Sequence, residues 1–415
     1  MAACGLDFGT SNTTLGSWRD QSPQLAKLEG EDVTIPSAIF FDWSGNPTIG
    51  RAAMDAYVEG VPGRLMRSLK SVLGTALIEE ITQVGRKRLR FREVIALYLK
   101  HVKARAEASA GQEFHQVVHG RPVHFVDGNP EADRKAEEML RAIAHSIGFR
   151  DVSFQFEPIA AALDYERTIS HEEIALIADI GGGTSDFSIV RISPDRRGHA
   201  DRVSDILSND GVRIGGVDFD RLLSLGSLMP LLGMNSPMKR PGLDVPSGYF
   251  HDLATWSNIN RVYTDRTRRE IREVRREARR PDLLDRLLHV LDREQGHALA
   301  MGIETVKINL SETDITQMDL AEIEPDLGMT IARGDFAGHT ERLGARIGER
   351  IENCLHSAGL RADRIDALFL TGGSTRIPHV RDAIRSKTPN AKVVEGDTFG
   401  AVGTGLVIES VRRYA

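Results

Sequence analysis

Short apolar runs alternate with stretches of helical period along most of the chain. Ala175 to Ile192 reads as a buried run, Leu176-Ile177-Ala178, then a Gly-rich turn, then a second apolar segment, Phe187-Ser188-Ile189-Val190. This spacing predicts strand, tight turn, strand, because a glycine tip lets two extended segments fold back on one another. From Asn129 a helix is predicted. Asn129 caps it, Pro130 takes the first position, and Ala132, Ala136, Met139, Leu140, Ile143, Ala144 and Ile147 form the apolar stripe before Gly148 ends it. Asp366 to Leu370 is an apolar strand broken by Thr371-Gly372-Gly373-Ser374, after which Pro378 opens another helical pattern. That loop faces a helix N-terminus and can hold an anion or a ribose. The alternation as a whole predicts an α/β architecture whose sheets are covered by crossover helices.

One helical stretch is polar instead. Arg261 to Arg280 holds nine arginines against four acids and continues through Leu283, Leu284, Leu287, Leu288 and Leu291. Asp265 with Arg269 and Arg266 with Glu270 are oppositely charged at i,i+4, and aromatic residues for base stacking are scarce nearby, so a solvated helix face is expected rather than a nucleic-acid surface. Pro230 to Tyr249, rich in Pro, Gly and Met without clear period, reads as a loop or insertion.

Composition narrows the function. At 415 residues, 41% hydrophobic and 27% charged, the chain is long enough for two or more domains with sizeable cores. Its formal charge of −6 gives no overall attraction to nucleic acid or anionic membrane, so small anionic ligands need local donors. Two isolated cysteines, Cys4 and Cys354, cannot make a disulfide framework or a cysteine-rich metal site. No apolar stretch approaches the roughly 20 residues of a membrane span. The N-terminus enters a structured motif at Gly5 almost at once, which leaves no room for a targeting peptide, and a cytoplasmic location is expected.

The most informative feature is an internal echo. Gly5-Leu6-Asp7-Phe8-Gly9-Thr10-Ser11 is matched about 170 residues later by Ile177-Ala178-Asp179-Ile180-Gly181-Gly182-Gly183-Thr184-Ser185-Asp186. Each copy is a strand ending in Asp, then glycine and hydroxyls. Glycines bring backbone N–H groups against phosphate oxygens, and the hydroxyls add donors. The aspartates repel phosphate unless a divalent cation intervenes, so an Asp beside each loop points to a nucleotide with Mg²⁺ held through waters. One such loop alone is an ordinary glycine hairpin; two matched copies predict two related domains with phosphates clamped between their hairpins. The chain has no Gly-Lys pair and hence no Walker loop, and GxGxxG, HExxH, CxxC and GxSxG are also missing.

These residues resemble the ATPase domain of the seventy-kilodalton heat-shock chaperones, within the superfamily that also holds actin and sugar kinases. Gly5 to Asn12 is similar to that family's first phosphate loop, and Asp179 to Asp186 to its second. Glu157-Pro158-Ile159-Ala160-Ala161-Ala162 resembles the segment carrying a metal-shell glutamate and a hinge proline. Ile35-Pro36-Ser37 with Arg67 to Gly74 resembles the region of the catalytic lysine, which puts that role on Lys70. Ile214 to Asp220 is similar to a further signature near the nucleotide, with Val217 in place of an acid. Met301 to Ser311 resembles the helix that holds ribose and adenine, and Gly372 to Pro378 the adenosine loop.

The resemblance implies an actin-like, ribonuclease-H-like duplicated α/β fold with two lobes around a nucleotide cleft. Lobe I is expected over 1–170 with a peripheral part at about 36–109, lobe II over 171–395 with a helical part at about 221–334, and a C-terminal helix over 396–415 returning to lobe I. It implies Mg²⁺-dependent binding of ATP or ADP and slow ATP hydrolysis that drives lobe closure. Asp7, Asp179 and Glu157 order the waters around the metal, and Lys70 and Thr184 act on the γ-phosphate. Gly9, Thr10, Ser11, Asn12, Gly181, Gly182, Gly183 and Thr184 hold phosphates. Gly215, Gly216, Glu304, Lys307, Ile308, Ser311, Gly372, Gly373, Ser374, Arg376 and Asp397 surround the nucleoside. Ile308 stands where the family has an arginine that stacks on the base, so base affinity is expected to be weaker. Partners implied are the nucleotide, co-chaperones and nucleotide-exchange factors, with neither nucleic acid nor membrane. The chain ends shortly after the last ATPase-domain helix, so a stand-alone form without the peptide-binding domain is expected. A small-molecule kinase of the same superfamily and a non-hydrolysing ATP-binding scaffold are the alternatives.

Overall fold

The computed structural model describes residues 2–126, 128–199, 201–394 and 400–414. The chain divides into two compact units, one of Met1–Arg213, Glu349–Thr375 and Ile384–Ala415, the other of Ile214–Gly348 and Arg376–Ala383.

The first unit opens with β1 (Ala2–Phe8), β2 (Asn12–Arg19) and β3 (Ser22–Leu25), an antiparallel meander, with the short β4 (Ile35–Pro36) beside β2. A peripheral part follows: β5 (Ala38–Asp42), β6 (Pro47–Ile49), α1 (Arg51–Val58) and β7 (Gly63–Arg67), with the three strands forming one sheet. The hairpin β8 (Ile81–Val84) and β9 (Lys87–Arg90) leads into α2 (Phe91–Ala110). The chain then returns through β10 (Phe114–Arg121), which runs parallel to β1, and α3 (Pro130–Ser146) crosses to β11 (Asp151–Phe156), parallel to β10. The α3 start follows the sequence signal, since the Asn129 side chain accepts from Ala132 N at 3.1 Å and Pro130 takes the first turn.

After α4 (Glu157–Glu166) the pattern repeats. β12 (Glu173–Ile180), β13 (Ser185–Ile192) and β14 (Ile206–Val212) form a second antiparallel meander. β17 (Ala367–Thr371) joins β12 in parallel, and β18 (Lys392–Val394) joins β17. The strand order β3-β2-β1-β10-β11 is thus reproduced as β14-β13-β12-β17-β18 with the same parallel and antiparallel pairings. The final helix α12 (Ala401–Tyr414) and α4 lie in a core that contains Val118 of the first sheet and Ile177 and Val190 of the second. Small residues permit this packing: a Cβ on Gly405 meets the Ala160 backbone, and one on Gly5 meets that of Leu406 and Val407.

The second unit is mainly helical. It contains α5 (Gly216–Leu223), α6 (Gly248–Leu253), α7 (Asp265–Glu277), α8 (Pro281–Asp292), α9 (Gly296–Glu312) and the hairpin β15 (Ile315–Asp319) and β16 (Gly328–Ala332). Two helices, α10 (Arg333–Ser357) and α11 (Pro378–Ser386), have residues in both units. The expected loop at 230–249 carries more order than its composition suggests: a 3₁₀ turn over Met229–Leu232, a bridge between Pro237 and Asp244, and the first residues of α6.

Candidate functional site

Both glycine-rich turns close by the same hydrogen bond. Gly9 N donates to Asn12 O at 3.0 Å in the first, and Gly181 N donates to Thr184 O at 2.9 Å in the second. Asp7 and Asp179 each occupy the next-to-last position of their strand, across from Thr14 and Asp186. The two turns approach one another, for a Cβ on Gly182 collides with the Ser11 hydroxyl, whereas one on Gly183 meets nothing. The segment after β4 braces the first turn: Ser37 N donates to Ser11 O at 2.7 Å and the Ser37 hydroxyl to Gly9 O at 2.7 Å.

Lys70 arrives on a 3₁₀ turn, Leu69–Val72, whose preceding residue Ser68 has φ 56°, a left-handed conformation that a non-glycine residue adopts at a cost. Buried Leu69 and Leu73 anchor the turn on the core. The Lys70 ammonium donates to Glu157 Oε1 at 2.6 Å. Glu157 sits in the first turn of α4, followed by Pro158, where the helix dipole favours a negative charge.

The electrostatics of this cluster are unusual. Burial and the neighbouring Glu157 carboxylate push the Asp7 carboxyl far above the ordinary range, against the pull of Lys70. Burial, with Asp186 and Glu157, raises Asp179 to about 7. Burial alone lowers an ammonium, but Glu157 and Asp7 outweigh it and hold Lys70 above its usual value. Acids therefore outnumber the one cation among these four groups, which is a charge balance suited to an added divalent cation. Among the described residues no three His, Cys, Asp or Glu side chains form a direct metal cage.

A depression is lined by Pro122 and His124 after β10, by Glu157 of α4, and by Asp179, Asp186, Asn209 and Thr371 of the second sheet. Asp186 and His124 carry no role in the sequence reading; the register of Asp186 opposite Asp179 in a two-strand hairpin is the signal that marks Asp186. Gly372, with φ 77°, lies so close that a Cβ there is 2.7 Å from Asp179 Oδ1, and the Ser374 hydroxyl donates to Gly181 O at 3.2 Å. Gly373 opens the 3₁₀ turn Gly373–Arg376 beside them. The first unit thus brings together Asp7, Gly9, Thr10, Ser11, Asn12, Lys70, Glu157, Asp179, the 181–184 turn, Gly372, Gly373 and Ser374.

The chain belongs to the Hsp70 family. Its residues 3–225 and 289–409 match the family model described as Hsp70 protein, more than half of the sequence. Hsp70 proteins have the actin-like ATPase fold, bind ATP and ADP, and act as chaperones together with co-chaperones, and the repeated five-strand order of this Hsp70 chain is the duplication that its sequence echo predicts. Among its described residues no helix is long and apolar enough to cross a membrane.

The second unit of this Hsp70 protein holds the remaining predicted residues that the structure describes. Gly215 is the N-cap of α5, and its N–H donates to Asp218 Oδ2 at 2.9 Å. Gly216 is buried at the first position of that helix. Glu304, Lys307, Ile308 and Ser311 follow one face of α9 at i, i+3, i+4 and i+7. Lys307 is 8% exposed and paired with Asp220 at 2.8 Å, a partner that sequence reasoning missed although Asp220 ends the Ile214 to Asp220 segment. Ile308 is 54% exposed, and Arg376 pairs with Glu312 at 3.0 Å. Asp397 lies outside the described residues.

Proposed function

We propose that this Hsp70-family chain binds ATP with Mg²⁺ and hydrolyses it slowly, and that the hydrolysis cycle closes and opens two lobes, a rhythm read by co-chaperones or exchange factors. The lobes in this reading are 1–170 and 171–395, with the last helix returning to the first. The observation that carries it is the matched pair of glycine turns, each with a half-buried aspartate, pressed together at Ser11 and Gly182 beside the Lys70–Glu157 pair.

Because Gly9 and Gly181 spend their N–H groups closing the turns, we assign phosphate binding to the amides of Thr10, Ser11, Gly182 and Gly183 and the Thr184 hydroxyl. Asp7, Asp179 and Glu157 would hold Mg²⁺ through waters, and its charge would offset that of the phosphates. Lys70 releases Glu157 toward the γ-phosphoryl group, stabilises its developing charge and orients the attacking water. Without a strong general base, positioning and charge do most of the work, so turnover is slow. Glu304, Lys307, Ser311, Gly215, Gly216, Gly372, Gly373, Ser374 and Arg376 are assigned to the nucleoside, with Ile308 giving only apolar contact to the base.

The test is phosphate release from ATP by the purified chain with and without Mg²⁺, beside a thermal melt with excess ATP. The expected result is slow Mg²⁺-dependent release and an upward melting shift, since ligand at about 100 times Kd stabilises by about 2.7 kcal/mol. A shift without release favours a scaffold, and neither response defeats the nucleotide reading.

A further inference from the structure

The arginine-rich stretch is not accounted for by nucleotide chemistry. It folds as α7, packed on α8 through buried Ile271 and Leu284, Leu287 and Leu288, and residues 226–288 lie between the two segments that match the family model. Part of it is the neutralised face that its charge pattern predicts. Arg266 pairs with Glu270 at 2.8 Å, Arg268 with Asp292 at 3.1 Å, and Arg275 grips Asp285 with two nitrogens. Asp265 does not pair with Arg269 as the i,i+4 spacing suggests; its nearest guanidinium is that of Arg268, at 3.7 Å.

Among the described residues Arg269, Arg272 and Arg276 have no carboxylate in ion-pair range, and all three are exposed. They stand at i, i+3 and i+7 on one side of the helix, where the one acid, Glu273, lies outside ion-pair range of all three among the described residues, and like charges at this spacing cost helix stability unless an outside anion answers them. Arg272 and Arg276 are not simply dispersed in solvent. With Arg275, Asp285 and the exposed edge of Leu288 they line one surface depression, in which Arg275 is already paired with the single carboxylate.

We propose that this depression docks an acidic segment of a partner protein, in which a carboxylate takes the open forks of Arg272 and Arg276 and a neighbouring apolar side chain rests on Leu288. Guanidinium forks match carboxylates bidentately, and the Arg275–Asp285 pair already displays that geometry within the site. Nucleic acid fits less well. Glu270, Glu273 and Glu277 interrupt the same helix and oppose a continuous phosphate track, and α7 offers no aromatic ring for a base.

The experiment titrates the full chain into a short fluorescein-labelled peptide of alternating Glu and Leu and, separately, into labelled single-stranded oligothymidylate, following anisotropy. The peptide is expected to saturate, and Arg272→Glu with Arg276→Glu to weaken it by about tenfold or more. The pair Arg272→Lys with Arg276→Lys keeps the charge and loses the forks, so it falls between the two and guards against misfolding of the reversed variant. ATP binding stays at the wild-type level in both, which separates failure of this surface from failure of the nucleotide reading. No peptide binding by wild type, equal binding by the reversed and wild-type chains, or tighter binding of oligothymidylate than of peptide each overturns the assignment.

Discussion

In the first hairpin Asp7 faces Thr14 across the strands and lies within the field of Lys70; in the second, Asp179 faces another acid, Asp186. The backbones match down to the hydrogen bond that closes each turn, so a duplicated scaffold does not impose a duplicated charge pattern. One half has recruited a lysine from the peripheral segment. The other concentrates negative charge where like charges directly opposite are destabilising on their own account. Such an imbalance is tolerated where a ligand supplies the missing cation; in the function proposed above, Asp7 and Asp179 share the waters of that cation and only the first half adds a lysine for the γ-phosphate.

Removing the first half's cation should have the largest effect. Lys70→Ala is expected to lower phosphate release by on the order of 10²–10³-fold, the usual loss when a group stabilising transition-state charge is deleted. The melting shift given by ATP should persist, since the backbone amides remain. Equal rates in variant and wild type would show that the asymmetry between the hairpins has no catalytic meaning.

The contact between hairpins can be broken without touching charge. Gly182→Ala drives a methyl into the Ser11 hydroxyl, which must rotate away, while Gly183→Ala enters open space. Gly182→Ala is expected to weaken ATP by about tenfold, the equivalent of one hydrogen bond, and Gly183→Ala to change it little. Isothermal titration with ATP checks both. Equal effects from the two would mean that the close approach of the turns is incidental.

The second half's charge should be visible in stability. The Asp179 carboxyl, raised to about 7 when folded against an ordinary value near 4, binds its proton more tightly in the native chain than in the unfolded one. Its contribution is therefore complete below about pH 4 and is lost as pH rises through about 7. In Mg²⁺-free buffer the melting temperature of wild type should fall over that window more steeply than that of Asp179→Asn, and Mg²⁺ should flatten the wild-type slope. Parallel slopes for the two chains would remove Asp179 as the source.

Much of this arrangement is legible in sequence because it depends on residues close together in the chain. Asp, Gly and hydroxyl within a few positions define each hairpin, and Asn129-Pro130 defines the start of α3. Contacts that join distant segments are not legible in the same way. Nothing in the order of residues tells that Lys307 pairs with Asp220, that Ser11 meets Gly182, or that β17 repeats the role of β10. The arginine stretch fails for a different reason. Spacing alone pairs Asp265 with Arg269, but side-chain direction and the neighbouring α8 select Arg268 and leave Arg269 without a carboxylate among the described residues.

The smallest expected effect comes from the strands beside the two aspartates. His119 lies next to Leu6 in register, and the matching position of the second sheet, next to Ala178, is Leu370. The His119 ring is fully buried, its Nδ1 is 2.8 Å from Gly120 O, and its Nε2 has no hydrogen-bond partner among the described residues. Burial lowers its pKa to about 4, while the unfolded residue titrates near 6.5. Its neutral form thus adds stability above about pH 6.5 that is lost as pH falls through about 4. His119→Leu copies the second sheet into the first and removes the orphaned nitrogen. At neutral pH the variant should melt within a few degrees of wild type, and toward pH 4 it should melt higher. A wild-type chain that loses no more stability than the variant on acidification would show that His119 is protonated in the fold, with a partner for its second nitrogen.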